Sequence, residues 1–123
     1  MKVWIRADGN EQIGTGHVMR CLAIAEALEA AGVPVCFVMA DGAAAQLVKS
    51  RGKKARILHT RYDRMEEELP VLTAVMEAEH PDMLLIDSYY VSDAYLQQLT
   101  EQVWTVYIAV SYTHLTLPTK LEV

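Results

Sequence analysis

The sequence predicts an α/β fold with a doubly wound, mostly parallel sheet of the Rossmann-like kind. Short apolar runs alternate with helical patterns along the chain, and a loop with glycines stands between the first run and the first helix. Strands that alternate with helices form a parallel sheet, and right-handed crossovers give it the strand order 3-2-1-4-5. The chain of 123 residues suits one compact domain of this kind.

The elements follow from periodicity and from the residues that end them. Val3, Trp4 and Ile5 form the first strand, and an apolar stripe at helical spacing predicts a helix over residues 17–31, which Gly32 ends. Continuous apolar runs are typical of strands that are buried on both faces. The remaining elements are predicted as strands at 33–39, 55–58, 83–86 and 103–108 and as helices at 42–50, 66–80 and 92–102.

Composition excludes several classes of function. A net charge of -5 argues against a nucleic-acid partner or an anionic membrane surface. No apolar stretch is long enough to span a membrane, so we expect a cytoplasmic protein. Cys21 and Cys36 lack the spacing of a metal site and are interpreted as buried, reduced thiols. We therefore expect no metal.

A loop with glycines separates the first strand from the first helix. Gly14 and Gly16 carry no Cβ, so the backbone can come close to a ligand, and Thr15 stands between them. A strand, such a loop and a helix in this order bind phosphate, because backbone N–H groups and the helix N-terminus attract an anion. The loop therefore predicts an anionic, phosphorylated ligand.

The residue after the second glycine distinguishes this loop from a dinucleotide-binding turn. That fingerprint needs a third glycine, which is missing here, so no nicotinamide or flavin cofactor is expected. Instead, His17 begins the helix and Arg20 follows three residues later on the same face. Both side chains are candidates for contact with the phosphate, whereas the alternative is a histidine that only bonds to a loop carbonyl.

A second group of polar residues follows the fourth strand. Asp87, Ser88, Tyr89 and Tyr90 come directly after it. In the predicted strand order, ligands bind between the first and fourth strands, at their carboxyl ends, so this turn faces the glycine loop. Asp87 is then placed to orient His17 or a substrate hydroxyl, and Tyr89 to contact a sugar face. The alternative is that Asp87 and Ser88 only end the strand while Tyr89 packs on the domain.

The run from Ile5 to Ala23 resembles a known family. It reads Ile-Arg-Ala-Asp-Gly-Asn, then two residues, then Ile-Gly-Thr-Gly-His-Val-Met-Arg-Cys-Leu-Ala. This is similar to the N-terminal signature of the UDP-sugar hydrolases of pseudaminic acid biosynthesis, and Ile-Asp-Ser-Tyr after the fourth strand also resembles that family. The family belongs to a glycosyltransferase-B-like superfamily with two Rossmann-like domains. The resemblance implies that residues 1–108 are the N-terminal domain and that the uridine pocket belongs mainly to a second domain.

The resemblance also implies a reaction and a set of site residues. In the family, the histidine that matches His17 is the general base for a water that attacks the anomeric carbon, and UDP leaves with cleavage of the C–O bond. The substrate would be a UDP-linked diacetamido-trideoxy sugar, with no cofactor. Residues expected to shape the diphosphate loop or to bind and orient the substrate are Arg6, Asp8, Gly14, Thr15, Gly16, Arg20, Asp87 and Tyr89.

Two alternatives remain open for the function. A glycosyltransferase of the glycosyltransferase-B type would use the same loop to hold an acceptor or a diphosphate. A non-catalytic module that binds sugar nucleotides would use His17 only as a hydrogen-bonding group. A fold of this class is compatible with all three functions.

The end of the chain does not continue the alternation of strands and helices. Residues 109–123 resemble the translation of a sequencing adapter that is read through into a gene end, so we expect a truncated domain followed by a non-native tail. Tyr112 and His114 in this segment are expected to carry no function.

Overall fold

The computed structural model describes residues 1–108 and 120–122 and has the predicted α/β architecture. Six parallel strands form one sheet in the order β3-β2-β1-β4-β5-β6. The elements in chain order are β1 (Val3–Ala7), α1 (Gly16–Ala30), β2 (Val35–Met39), α2 (Ala45–Ser50), β3 (Lys54–Ile57), α3 (Met65–Glu79), β4 (Met83–Asp87), α4 (Asp93–Thr100), β5 (Trp104–Tyr107) and β6 (Lys120–Glu122).

The predicted order of the first five strands is confirmed, and the sixth strand is an addition. β6 pairs with β5 in parallel and belongs to the segment that was expected to be a non-native tail. Tyr112 and His114 lie outside the described residues, as do the other positions of 109–119 and residue 123. The expectations that the tail is non-native and that residues 1–108 are one domain of a longer protein therefore stay predictions.

Two hydrophobic cores lie on opposite faces of the sheet. Side chains alternate along a strand, so β1 contributes Ile5 to one core and Trp4 to the other. The core with Ile5 packs against α1 and α2, where Val18 and Val48 are fully buried. The core with Trp4 packs against α3 and α4, where Leu72 is fully buried. Every residue of β1 is consequently buried.

The first strand is longer than the apolar pattern predicts. Arg6 continues β1 and pairs in register with Val38 of β2 and Ile86 of β4. Its side chain lies on the face of α3 and α4 and has no exposed surface. The strand prediction stopped at Ile5 because a charged residue is rarely fully buried without a partner.

Arg6 is buried together with partners that neutralise it. Its Nε and Nη2 atoms donate to the two carboxylate oxygens of Glu68 at 2.8 and 2.6 Å, and Nη1 donates to Asp8 Oδ2 at 2.8 Å. Tyr95 Oη also donates to Glu68 Oε2, at 2.7 Å. Burial alone would lower the pKa of Arg6, but the hydrogen bonds with Glu68 and the charge of Asp8 raise it above its ordinary value. Arg6 therefore stays charged and joins β1 to α3 and α4.

The stability of the domain should depend strongly on Glu68 and less on Tyr95, which donates a hydrogen bond to it. Glu68→Gln is expected to lower the free energy of unfolding by about 3 kcal/mol, because an amide NH2 replaces one of the two oxygens that accept from the buried Arg6 and leaves a buried donor unpaired. Tyr95→Phe removes one hydrogen bond and should cost about 1 kcal/mol. Urea denaturation measures both changes. Glu67→Gln is the matched control, since Glu67 is exposed and pairs with Arg64 only at 3.6 Å. Equal losses for the two glutamates would contradict the dominant role of the buried cluster.

Candidate functional site

The loop between β1 and α1 closes on itself at the carboxyl edge of the sheet. Asn10 and Gly14 exchange backbone hydrogen bonds, with Asn10 N donating to Gly14 O at 3.2 Å and Gly14 N donating to Asn10 O at 2.7 Å. The Asn10 side chain also accepts hydrogen bonds from the backbone of Gln12 and Ile13. Gly14 has a φ of 73°, a left-handed conformation that favours glycine. The loop is thus a closed turn that leads into α1.

The other small residues of the loop have different roles. A Cβ at Gly9 would lie 3.2 Å from Ala44 Cβ and 3.2 Å from Val18 Cγ2, so this glycine allows the loop to pack closely. Sequence reasoning did not single out Gly9. Gly16 begins α1, and a Cβ there would meet open space. Thr15 occupies the N-cap position of α1, and its side chain makes no capping hydrogen bond.

Asp87 is the centre of the site. It ends β4, is fully buried, and accepts hydrogen bonds from three side chains of α1. His17 Nδ1 lies 2.5 Å from Oδ1. Arg20 donates from Nε to Oδ2 and from Nη2 to Oδ1, both at 2.7 Å, and Cys21 Sγ donates to Oδ2 at 3.7 Å. The three donors stand at positions i, i+3 and i+4, which lie on one face of a helix.

This contact confirms that the turn after β4 faces the start of α1. β1 and β4 are neighbours in the sheet, and Ala7 pairs with Asp87 at their carboxyl ends. The side chain of Asp87 lies on the α1 face of the sheet, where it meets His17. The topological switch point between β1 and β4 therefore brings together residues that are 70 positions apart in the chain.

The hydrogen bonds of Asp87 determine which nitrogen of His17 carries the proton. Asp87 forms an ion pair with the Arg20 guanidinium, which suits an ionised carboxylate that only accepts, so we assign His17 Nδ1 as the donor in the contact with Oδ1. Arg20 Nη2 lies 3.5 Å from the same Nδ1; with a proton on both atoms, this contact is not a hydrogen bond. The neutral imidazole then has its lone pair on Nε2, as in a histidine that an aspartate orients for proton transfer.

The imidazole of His17 packs against the ring of Tyr89. The two ring centroids are 4.4 Å apart and the planes are at 78°, an edge-to-face arrangement. Within residues 1–108, His17 Nε2 and Thr60 Oγ1 are the buried polar side-chain atoms without a hydrogen-bond partner. Tyr89 itself is 64% exposed. Nε2 is therefore buried without a partner, in a ring that packs against an exposed tyrosine.

Two of the side chains that donate to Asp87, Arg20 and Cys21, stay protonated. The hydrogen bonds to Asp87 raise the pKa of Arg20 above its ordinary value, so Arg20 stays cationic. Burial, together with the charge of Asp87, raises the pKa of the Cys21 thiol well above its usual range. Cys21 is thus a neutral S–H donor. Its contact with Asp87 was missed in the sequence, where the residue was interpreted only as a buried apolar group, although its i+4 distance from His17 was visible.

Two of the predicted site residues lie away from His17. Asp8 follows β1, and its Oδ1 accepts a hydrogen bond from Ala40 N at 2.8 Å while Oδ2 binds Arg6. Both side chains belong to the face of α3 and α4, with exposed fractions of 4% for Asp8 and 0% for Arg6. Their roles in substrate binding stay predictions, and the contacts that the structure shows for them are internal.

A cleft lies on the other side of the loop, towards β2 and α2. Its volume is about 550 Å³. One wall is polar and comes from the loop, including Thr15, whereas the other is apolar and includes Leu47 of α2. The remaining lining residues are Gly9, Asn10, Glu11, Gln12, Ala43 and Ala44. The cleft is large enough for a small ligand held beside the glycine loop.

Comparison with known proteins adds no assignment. The sequence matches no protein-family model, and no curated protein matches it significantly. Across the part of the chain that the structure describes, no three histidine, cysteine or acidic side chains form a group that could hold a metal ion. No helix within the same residues is both long and apolar enough to cross a lipid bilayer.

The accessibility of His17 should be controlled by Tyr89. Diethyl pyrocarbonate acylates free imidazole nitrogens, and we expect it to modify the exposed His59 and His80 well before His17, whose exposed fraction is 4%. Tyr89→Ala should raise the rate at His17 by about tenfold or more, because it removes the ring that packs against the imidazole. Mass spectrometry of peptides follows each histidine separately. Tyr90→Ala is the matched control, since Tyr90 packs against Tyr62. An unchanged rate at His17 in Tyr89→Ala would show that the tyrosine ring does not limit access to the imidazole in solution.

Proposed function

We propose that this chain is the N-terminal catalytic domain of a nucleotide-sugar hydrolase in which His17 is the general base. The observation that carries the proposal is the His17 imidazole itself, which Asp87 holds through Nδ1 and which leaves Nε2 without a hydrogen-bond partner. The proposed substrate is the UDP-linked diacetamido-trideoxy sugar of pseudaminic acid biosynthesis, in agreement with the resemblance of the run from Ile5 to Ala23.

The proposed reaction uses the lone pair of Nε2. His17 takes a proton from a water molecule, the water oxygen attacks the anomeric carbon, and the C–O bond to the UDP leaving group breaks. Asp87 stabilises the positive charge that the imidazole then gains, since its carboxylate is 2.5 Å from Nδ1. Imidazole is the side chain that most often performs such proton transfers. The proposal includes a movement of the Tyr89 ring, which packs against the imidazole, to admit the water to the buried Nε2.

The start of α1 supports an anionic leaving group near the base. His17 is the second residue of α1, so Nε2 is close to the positive end of the helix dipole. Unpaired backbone N–H groups at such an end bind phosphate, and the Gly14–Gly16 turn leads directly into it. A diphosphate bound here would place its sugar within reach of His17. The proposal includes a second domain that binds the uridine, as the resemblance implies.

The geometry favours a catalytic role over a module that only binds. A histidine that only hydrogen-bonds a ligand gains little from a buried carboxylate on its other nitrogen, whereas a general base needs that carboxylate to fix its tautomer and to stabilise its charged form. The His17–Asp87 pair equally suits a glycosyltransferase, in which a sugar hydroxyl would replace water. The two reactions differ in the nucleophile and are separated by experiment.

Release of UDP tests the proposal directly. A protein that joins residues 1–108 to the proposed uridine-binding domain should release UDP from the UDP-linked diacetamido-trideoxy sugar with water alone. His17→Ala should reduce the rate by about 100-fold or more, because proton transfer by a positioned base contributes at least that factor. A coupled assay for UDP measures the rate, and mass spectrometry identifies the free sugar.

The controls separate the three functions. His59→Ala should retain the wild-type rate, since His59 is exposed and lies after β3. Release of UDP only in the presence of an added sugar acceptor would assign the protein to the glycosyltransferases. Full hydrolysis by His17→Ala would remove His17 from catalysis. Binding of UDP without turnover under any condition would support the non-catalytic module.

A further inference from the structure

Arg20 makes a contact that the sequence did not predict. The sequence placed it beside the bound phosphate, but in the structure its guanidinium binds both oxygens of Asp87 at 2.7 Å. We propose that Arg20 is a positioning residue, which holds the Asp87 carboxylate in the orientation that fixes the tautomer of His17. The inference concerns the same site and rests on the proposed function only for its kinetic consequence.

The carboxylate of Asp87 is free to rotate unless its contacts fix it. The last torsion of an aspartate side chain has a broad energy profile, so a single hydrogen bond does not fix the plane of the carboxylate. The contact with His17 uses one oxygen, Oδ1, and the contact with Cys21 is a weak S–H bond to the other. These two contacts alone would leave the direction of Oδ1 loosely determined.

Arg20 prevents the rotation of the Asp87 carboxylate. Its Nε and Nη2 atoms form two parallel hydrogen bonds, one to each oxygen, which is the geometry of a bidentate arginine–carboxylate pair. Among the three α1 side chains that contact Asp87, Arg20 is the one that binds both oxygens. The planar guanidinium therefore sets the plane of the carboxylate and aims Oδ1 at Nδ1 of His17.

The Arg20 guanidinium has little hydrogen-bonding capacity left for a ligand. Two of its three nitrogens already bind Asp87, and its charge is matched by that carboxylate. Its side chain is 43% exposed, so it forms the outer edge of the site and is not part of a buried packing contact. Substitution of Arg20 is consequently expected to preserve the fold while it loosens Asp87. Lysine cannot replace it, because an ammonium group does not form the two parallel bonds.

The experiment reads the tautomer of His17 in this chain, without substrate. Nitrogen-15 spectra distinguish a protonated imidazole nitrogen from one with a lone pair, and we expect the wild type to show a proton on Nδ1 and a lone pair on Nε2 on the high-pH plateau. Arg20→Gln should give a mixture of tautomers, seen as two nitrogen resonances that move towards each other. Arg20→Lys should give the same direction of change. Asp87→Asn serves as the reference for the loss of the carboxylate.

Arg51→Gln is the matched control. It should leave the His17 resonances unchanged, because Arg51 is exposed at the end of α2, on the opposite edge of the sheet. Backbone amide spectra verify that each variant keeps the fold. If Arg20→Gln does not fold, the tautomer is measured in Arg20→Lys. Wild-type tautomer resonances in a folded Arg20 variant would overturn the proposal.

A kinetic measurement on the two-domain protein separates positioning from substrate binding. Arg20→Gln should lower kcat by about tenfold or more with little change in KM, since small misplacement of a catalytic group reduces the chemical step. A raised KM with an unchanged kcat would make Arg20 a substrate ligand and overturn the proposal. If the wild type releases no UDP but the tautomer still depends on Arg20, the hydrolase function fails while the positioning role of Arg20 stands.

Discussion

One fully buried guanidinium imposes the strongest constraint on this fold. Arg6 extends from the central strand into the apolar space beneath α3 and α4, where an unpaired charge would be prohibitive. Glu68 and Asp8 compensate it from two directions, and Tyr95 completes the hydrogen bonding of Glu68. Since Asp8 also accepts a bond from Ala40 N after β2, the cluster joins two strands and two helices. The start of the glycine loop is thereby held in place.

The same edge of the sheet supports two separate polar groups on its two faces. Alternation along β1 directs Arg6 to one face, where Asp8 binds it, whereas Asp87 lies on the other, beneath α1. The first group is closed, since the one guanidinium and the two carboxylates bind one another inside the protein. The second leaves one nitrogen of His17 unused. This division explains why residues that are neighbours in the glycine-loop sequence do not all meet at the imidazole.

Patterns of apolar residues predicted the fold class and the order of the first five strands because strands buried on both faces are continuous apolar runs. The topology predicted that the turn after β4 faces the start of α1, and the contact of Asp87 with His17 was one of the alternatives that it left open. Buried charges were the main source of error: the first strand was predicted to end before Arg6, and Glu68 was predicted only as part of the helix at 66–80. Arg6 and Glu68 are 62 residues apart, so no local sequence pattern predicts their contact. The position of Glu68 on the apolar stripe of α3, together with Leu72, was the one sign that it is buried.

The three donors to Asp87 come from a single helix, which has a consequence for how this sequence can diverge. His17, Arg20 and Cys21 act on one carboxylate, so a change at position 87 alters the surroundings of all three at once. Drift at one of these positions would favour compensating changes at the others, and alignments of relatives should show them varying as a set. The loop before the helix can change length more freely, provided that α1 keeps its rotational phase.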